Sequence, residues 1–244
     1  MSRQYPQFSS MGEKVILIEF EPEISEETLK LVLNYKNSIE NKLSKSLVEV
    51  INTYNSLLIT YVSTIGNVYD EILTLKRCIS EANIGKNINS KLYHIPVCYD
   101  ERFGLDLQLL ATQKMLSIPE IIRLHTTPIY SIYFIGFLPG FLYLGGLDEK
   151  LIISRKSTPR MKVEKGAVGI GENQTGIYPK SSPGGWQIIG NSPVNFFDKN
   201  SLPPSEFKAG DKAKFYAVTM EEYLEISKEI SRDNFQLKVE NYES

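Results

Sequence analysis

Residues 166–190 read GAVGIGENQTGIYPKSSPGGWQIIG, and the reading of this stretch decides what kind of fold the chain has. Seven of the sixteen glycines (166, 169, 171, 176, 184, 185 and 190) lie here, with Pro179, Pro183 and Trp186, the only tryptophan. Glu172 and Lys180 are its only charges. Glycine at that density costs conformational entropy on folding and leaves little side chain to bury. A flexible linker has such a glycine content but rarely carries Trp, Tyr and Ile-Ile with it. The stretch therefore reads as ordered strand and loop with φ > 0 turns and close backbone approach. That make-up favours the wall of a binding site over plain tight-turn architecture.

Outward from it, 244 residues suit two domains better than one, and 42% apolar with 23% charged residues is the composition of a chain with a buried core. A net charge of −2 leaves no basic footprint for nucleic acid, and lysines spread along the chain argue against an anionic membrane. Cys78 and Cys98 alone fit a reducing compartment. The start, MSRQYPQFSSMGEK, has no apolar signal core and reads as a frayed leader, so a cytoplasmic location is expected. Thr126 to Leu147 carries no charge over 22 residues, but Pro128, Pro139 and four glycines interrupt it. It reads as a buried strand followed by an apolar Gly/Pro loop, Leu138 to Leu147, rather than a membrane span.

In chain order, Lys14–Phe20 is the first strand. Ser25 caps a helix with Glu26 and Glu27 in its first turn, and Val32, Tyr35, Ile39 and Leu43 form its apolar face. Leu47–Thr53 and Leu57–Ser63 form a hairpin, and Asn67 caps a second helix with Val68, Ile72, Leu75 and Ile79 inward. A polar stretch, Asn83 to Ser90, leads to a strand at Tyr93–Cys98. The order β-α-β-β-α-β is that of a split βαβ (ferredoxin-like) domain. It is expected over residues 13–90, as a structural or partner-docking module. Residues 91–232 read as mostly β, a sandwich or barrel, with a helical pair opened by Asp106 and by the Ser117/Glu120 capping box. Glu221–Ser231 is a terminal helix, and the last dozen residues read as fraying. The fold class is α+β.

Candidate chemistry is sparse. Gly171 and Gly176 have the separation of a phosphate loop, but Ile177-Tyr178 replaces Lys-Ser, and Gln174 stands where a dinucleotide turn needs its third glycine. His94 and Cys98, four strand residues apart, sit roughly 13 Å from one another and cannot share a zinc, so no metal site is expected. His125 ends a helix, where the dipole raises its basicity; it is either a capping histidine or a site residue. Arg155, Lys156 and Arg160 form the one local basic concentration near Pro/Gly loops, suited to a carboxylate or phosphate or else to a solvated turn.

Several motifs go further. Phe137-Leu138-Pro139-Gly140-Phe141 with Tyr143-Leu144-Gly145-Gly146, then Thr158-Pro159-Arg160, Gln174 to Pro179 and Ser182 to Trp186, in this order and spacing, resemble the bacterial 5-oxoprolinase B-subunit family, also called KipI or allophanate hydrolase subunit 1. The resemblance is firm over residues 92–220. It implies an N-terminal α/β domain followed by a cyclophilin-like β-barrel. It also implies a protein that, with the C and A subunits of the same enzyme, opens 5-oxoproline to L-glutamate using ATP, and that is inactive alone. Alternatives within the resemblance are a regulatory protein that inhibits a sporulation-type histidine kinase, and a carboxyltransferase part of a biotin-dependent urea or allophanate system. Carried over motif by motif, His125 and Arg160 are the catalytic candidates. Phe137, Pro139, Gly140 and Tyr143 form one wall; Gln174, Thr175, Gly176 and Tyr178 with Pro183, Gly184, Gly185 and Trp186 form the other, and Arg155 lies at the rim. Arg160→Ala and Trp186→Ala are expected to impair the assembled enzyme with the fold largely intact. Three departures stand out: Ile153-Ser154-Arg155 for Leu-Pro-Arg, Gly190-Asn191-Ser192-Pro193 without the arginine of Gly-Arg-Thr-Pro, and Asp100 for a glycine.

Overall fold

The computed structural model describes residues 4–82 and 90–243. The chain divides into two compact units, Met1–Ile88 and Asn89–Ser244. All but the last residue of the polar stretch 83–90 lies outside the described residues.

The first unit runs β1 (Gln7–Ser10), β2 (Val15–Glu19), α1 (Glu26–Leu43), β3 (Leu47–Asn52), β4 (Ser56–Tyr61) and α2 (Val68–Ser80). Both helices start where a side chain accepts orphan amides: Ser25 takes Thr28 N–H, and Asn67 takes those of Tyr69 and Asp70. The strands form one sheet in the order β1-β2-β4-β3. Alternation along them sends Ile16, Ile18, Leu57, Ile59 and Val50 into a core shared with Val32, Ile39, Leu75 and Ile79 of the helices. The sequence pattern put Tyr93–Cys98 into this sheet, and the structure corrects it. That strand belongs to the second unit, and β1 takes the edge beside β2, with Phe8 opposite Ile18. An edge strand needs its amides paired, and a four-residue segment with one core-facing aromatic suffices. QFSS offers too little alternation to announce itself, so a segment read as a frayed leader is a strand.

The second unit runs β5 (Ser90–Cys98), α3 (Leu107–Lys114), α4 (Ile118–Thr126), β6 (Tyr130–Ile135), β7 (Leu142–Gly145), a 3-10 turn at Glu149–Leu151, and then β8 (Arg160–Val163). β9 (Ala167–Gly171), β10 (Gln174–Ile177), β11 (Ser182–Gly184), β12 (Gln187–Asn191), β13 (Lys212–Val218), α5 (Met220–Ser231) and β14 (Val239–Tyr242) follow. Seven strands in the order β12-β9-β10-β7-β6-β13-β5 close into a barrel where Asn191 pairs with Cys98. β13 lies parallel to β5 and the remaining barrel pairings are antiparallel. β8 and β11 form a separate ribbon. Leu142–Gly145, read from the sequence as loop, is barrel strand β7. The tail read as fraying supplies β14, which pairs with β5 over Ser90–Tyr93. Expected limits of 13–90 and 91–232 thus leave out β1 and β14. Among the described residues, no helix is long and apolar enough to cross a membrane.

Candidate functional site

The barrel strands have two faces, and the glycine-rich stretch belongs to both. Val168, Ile170, Thr175, Ile177 and Ile189 are buried, the apolar four in the interior cluster with Leu142, Leu144 and Phe215. Gly169, Gly171 and Gly176 sit at the alternate positions, and all three lie under Trp186. A Cβ on Gly171 would come within 2.6 Å of the indole, and one on Gly176 within 2.5 Å of the Leu142 carbonyl. The glycines thus form a seat for one large ring, which is 5% exposed. Around it stand Phe141 (ring centroids 5.5 Å apart), Tyr143 (5.8 Å) and Tyr178. Of the seven glycines only Gly166 has positive φ, at 81°. The density of glycine arises from close packing, and the strands β9, β10 and β12 are buried throughout. Outside these strands, Pro183 of the same stretch is exposed.

His125 lies on the interior side. It is fully buried, and its ring stacks on Phe215 at 4.6 Å between centroids. Thr175 Oγ1 donates its one proton to Gly169 O at 3.0 Å, so at 2.9 Å it accepts from His125 Nε2–H. Nδ1 is then unprotonated and accepts from the Tyr99 hydroxyl at 2.7 Å. The expectation of raised basicity is corrected: burial drives the imidazole down to about 3, far outweighing any helix dipole. Both nitrogens are engaged within the protein, which leaves none for a substrate proton.

The polar centre of the outer face is Asp106, which the sequence pattern marks only as a helix opener. It holds the N-cap position of α3 without a capping bond from its side chain. Instead Oδ2 accepts Ile188 N–H at 2.6 Å, Oδ1 accepts Arg160 Nη2 at 2.7 Å, and Lys156 Nζ stands 3.6 Å away. The carboxylate is 3% exposed, and breaking a buried pair of this kind costs about 3–5 kcal/mol. Arg160 Nη1 is buried with no partner among the described residues. Lys156 N–H donates to Gly185 O at 2.7 Å and Gln187 Nε2 to Ser154 O at 3.0 Å, which lays residues 154–160 against the turn before β12. Arg155 spreads its guanidinium 5.7 Å from the Trp186 ring. Burial pushes the Tyr143 and Tyr178 phenols up, with Arg155 pulling the other way.

The structure therefore brings together Tyr143, Arg155, Arg160, Gly176, Tyr178, Gly184, Gly185 and Trp186, and adds Asp106 and Lys156. His125 and Thr175 belong to the interior network. Gln174 is buried, with its Oε1 unpartnered among the described residues. Phe137 (φ 61°), Pro139 and Pro183 are exposed, and Gly140, at φ 85°, packs on Phe196 and Phe197. The one signal in the sequence for Asp106 was an acid placed before an apolar helix. Its real partner lies 54 residues on.

A chain with an α/β unit followed by a seven-strand barrel has counterparts among known proteins. The carboxyltransferase domain family, subdomains C and D, matches residues 6–207. The B subunit of 5-oxoprolinase from Bacillus subtilis is 35% identical over 89% of this chain and 95% of its own length. The Haemophilus influenzae protein of the same name is 35% identical over 86% and 97%. The chain belongs to the 5-oxoprolinase B-subunit family. A crystal structure of TTHA0988 superposes with a TM-score of 0.73 at 29% identity, covering 84% of this chain and 40% of that one. The urea amidolyase of K. lactis shares the fold, with a TM-score of 0.83 at 21% identity over 97% of this chain and 16% of its own.

Proposed function

We propose that this chain serves as the B subunit of an ATP-dependent 5-oxoprolinase, opening the lactam of 5-oxo-L-proline to L-glutamate together with the A and C subunits. What carries the reading is identity over 95% of the length of the Bacillus subtilis protein, so the match is to that whole protein and not to a shared fragment. Gly171 and Gly176, which have phosphate-loop spacing, are buried strand residues under Trp186, and the ATP that the complex uses is bound in another way or by another chain. The barrel is read as cyclophilin-like and the chain as cytoplasmic. Arg155 and Arg160 serve an anionic group on the outer face, with Asp106 fixing Arg160. The exposed Phe137, Pro139 and Pro183 face the C subunit, and His125 holds the barrel wall in place from inside. Size-exclusion chromatography of this chain with the purified C subunit tests the assembly. Co-elution lost in Phe137→Ser supports it, and separate elution of the wild-type pair refutes it.

The description of the matching family favours a second reading, carboxyl transfer in a biotin-linked system, since the K. lactis urea amidolyase shares the fold. That reading requires bicarbonate and a biotinylated carrier for turnover. Turnover with neither present excludes it.

A further inference from the structure

The loop from Val194 to Phe207, between β12 and β13, and the chain from Ile230 to Leu237, between α5 and β14, enclose a cleft of about 620 Å³. Both walls hang on β5. Tyr93 donates its hydroxyl to Glu206 O at 2.9 Å and packs on Phe207 at 4.5 Å between ring centroids, and His94 N–H donates to Lys238 O at 3.0 Å. Val194, Phe196 and Phe207 form a buried floor, and Ile230, Phe235 and Leu237 flank it half-buried. The rim is apolar too. Asp198 N–H donates to Pro204 O at 2.8 Å, and the Asp198 carboxylate accepts Asn200 N–H at 2.9 Å and the Ser201 hydroxyl at 3.1 Å, so this turn is closed on itself. Leu202 at its tip is 99% exposed, with Phe197, Pro203 and Pro204 exposed beside it. Apolar side chains held out to water on a braced turn, around an apolar groove, make an interaction surface whose ordering cost is already met in the free chain.

The charge of the cleft decides its occupant. Asp198, Glu206 and Asp233 line it, and no lysine, arginine or histidine does among the described residues. None of the three carboxylates makes an ion pair among the described residues. The bonds from Asn200 and Ser201 hold the Asp198 carboxyl below the usual carboxylate range. A second copy docked by two-fold symmetry would set these acids against their own counterparts, and an acidic segment is repelled in the same way. A lone organic cation satisfies the carboxylates but leaves Leu202 and Phe197 uncovered. An extended chain with both cationic and apolar side chains covers both.

We propose that this cleft docks an extended segment of a partner protein in which lysine or arginine is interspersed with leucine- or phenylalanine-sized side chains. Leu202 and Phe197 meet the apolar side chains, and Asp198, Glu206 and Asp233 meet the cations. None of Asp106, Lys156, Arg160 and Trp186 lines the cleft, and docking here is independent of the proposed activity.

Peptide selection on the full chain tests it. A library of random decapeptides displayed on phage is selected on the immobilised wild type, and the enriched peptides are synthesised and titrated by fluorescence anisotropy. They are expected to combine lysine or arginine with leucine or phenylalanine. Leu202→Ser weakens their binding about tenfold, and Glu206→Gln combined with Asp233→Asn does so by about the same factor. Added salt weakens binding to the wild type more than to that double variant. Glu206 meets Tyr93 through its backbone carbonyl, so the double variant keeps that anchor. No enriched peptide, enrichment of acidic peptides, or binding unaltered in either variant each overturns the assignment. So does arginine methyl ester bound as tightly as the best peptide, or a wild-type dimer that Leu202→Ser dissociates.

Discussion

Stability should fall with acid through one residue. His125 is fully buried and its pKa drops from 6.5 to about 3 on folding, with desolvation as the cause. A group whose folded pKa is depressed takes up protons more readily in the unfolded chain, so its contribution is complete above 6.5 and is lost as pH falls toward 3. At pH 5 the unfolded imidazole is protonated and the folded one is not, a gap of about 1.5 pH units below the unfolded value, which amounts to about 2 kcal/mol. Trp186 lies in the same unit and is the only tryptophan, so its fluorescence reports urea unfolding of the barrel. Comparison of the wild type with His125→Phe at pH 7.5 and 5.0 isolates the effect, because the two proteins differ in that one titratable group. The variant is less stable at pH 7.5, having lost its bonds to Tyr99 and Thr175, but its further loss at pH 5 is smaller by about 2 kcal/mol. Equal acid sensitivity in the two proteins would refute the reasoning.

Other perturbations follow from the same contacts. Gly176→Ala drives a methyl against the Leu142 carbonyl and the indole, and lowers barrel stability by about 1–3 kcal/mol in urea titrations. Trp186→Ala, expected from the sequence to spare the fold, leaves a large hole over Gly169 and Gly171 and costs about 3–5 kcal/mol by the same measurement. Arg160→Ala strands a carboxylate that is 3% exposed, and adding Asp106→Asn restores part of the thermal stability; no recovery in the double variant would show that the pair does not hold this region. Deletion of residues 4–10 bares the β2 edge, and amide exchange of Val15–Glu19 rises while the barrel amides are unaffected.

Local signals in the sequence were strong where chemistry is local. Ser25, Asn67 and Ser117 cap the helices they were expected to cap, because a cap is a contact over three residues. Long-range partners carried no such signal. β14 is short and polar and pairs with β5 at the far end of its unit, while β1, equally short and polar, pairs with the next strand, β2. Leu142–Gly145 was hidden by the glycines and prolines around it, although alternate residues Leu142 and Leu144 face the interior. The glycine-rich stretch was rightly taken as ordered and closely approached. Its partner proved to be the chain's own tryptophan, and only the register of β9 against β10 brings three glycines under one ring. Arg155 and Arg160 were visible as a basic concentration, whereas Asp106, which positions Arg160 from 54 residues away, was not.

The most direct test of the functional account is ATP-dependent release of L-glutamate from 5-oxo-L-proline, followed with glutamate dehydrogenase, by this chain mixed with the purified A and C subunits. The account gives turnover with the three together, and background rates when this chain or ATP is left out. Full turnover by this chain alone, or none from a set whose other two members are active with the B subunit of a relative, would contradict it.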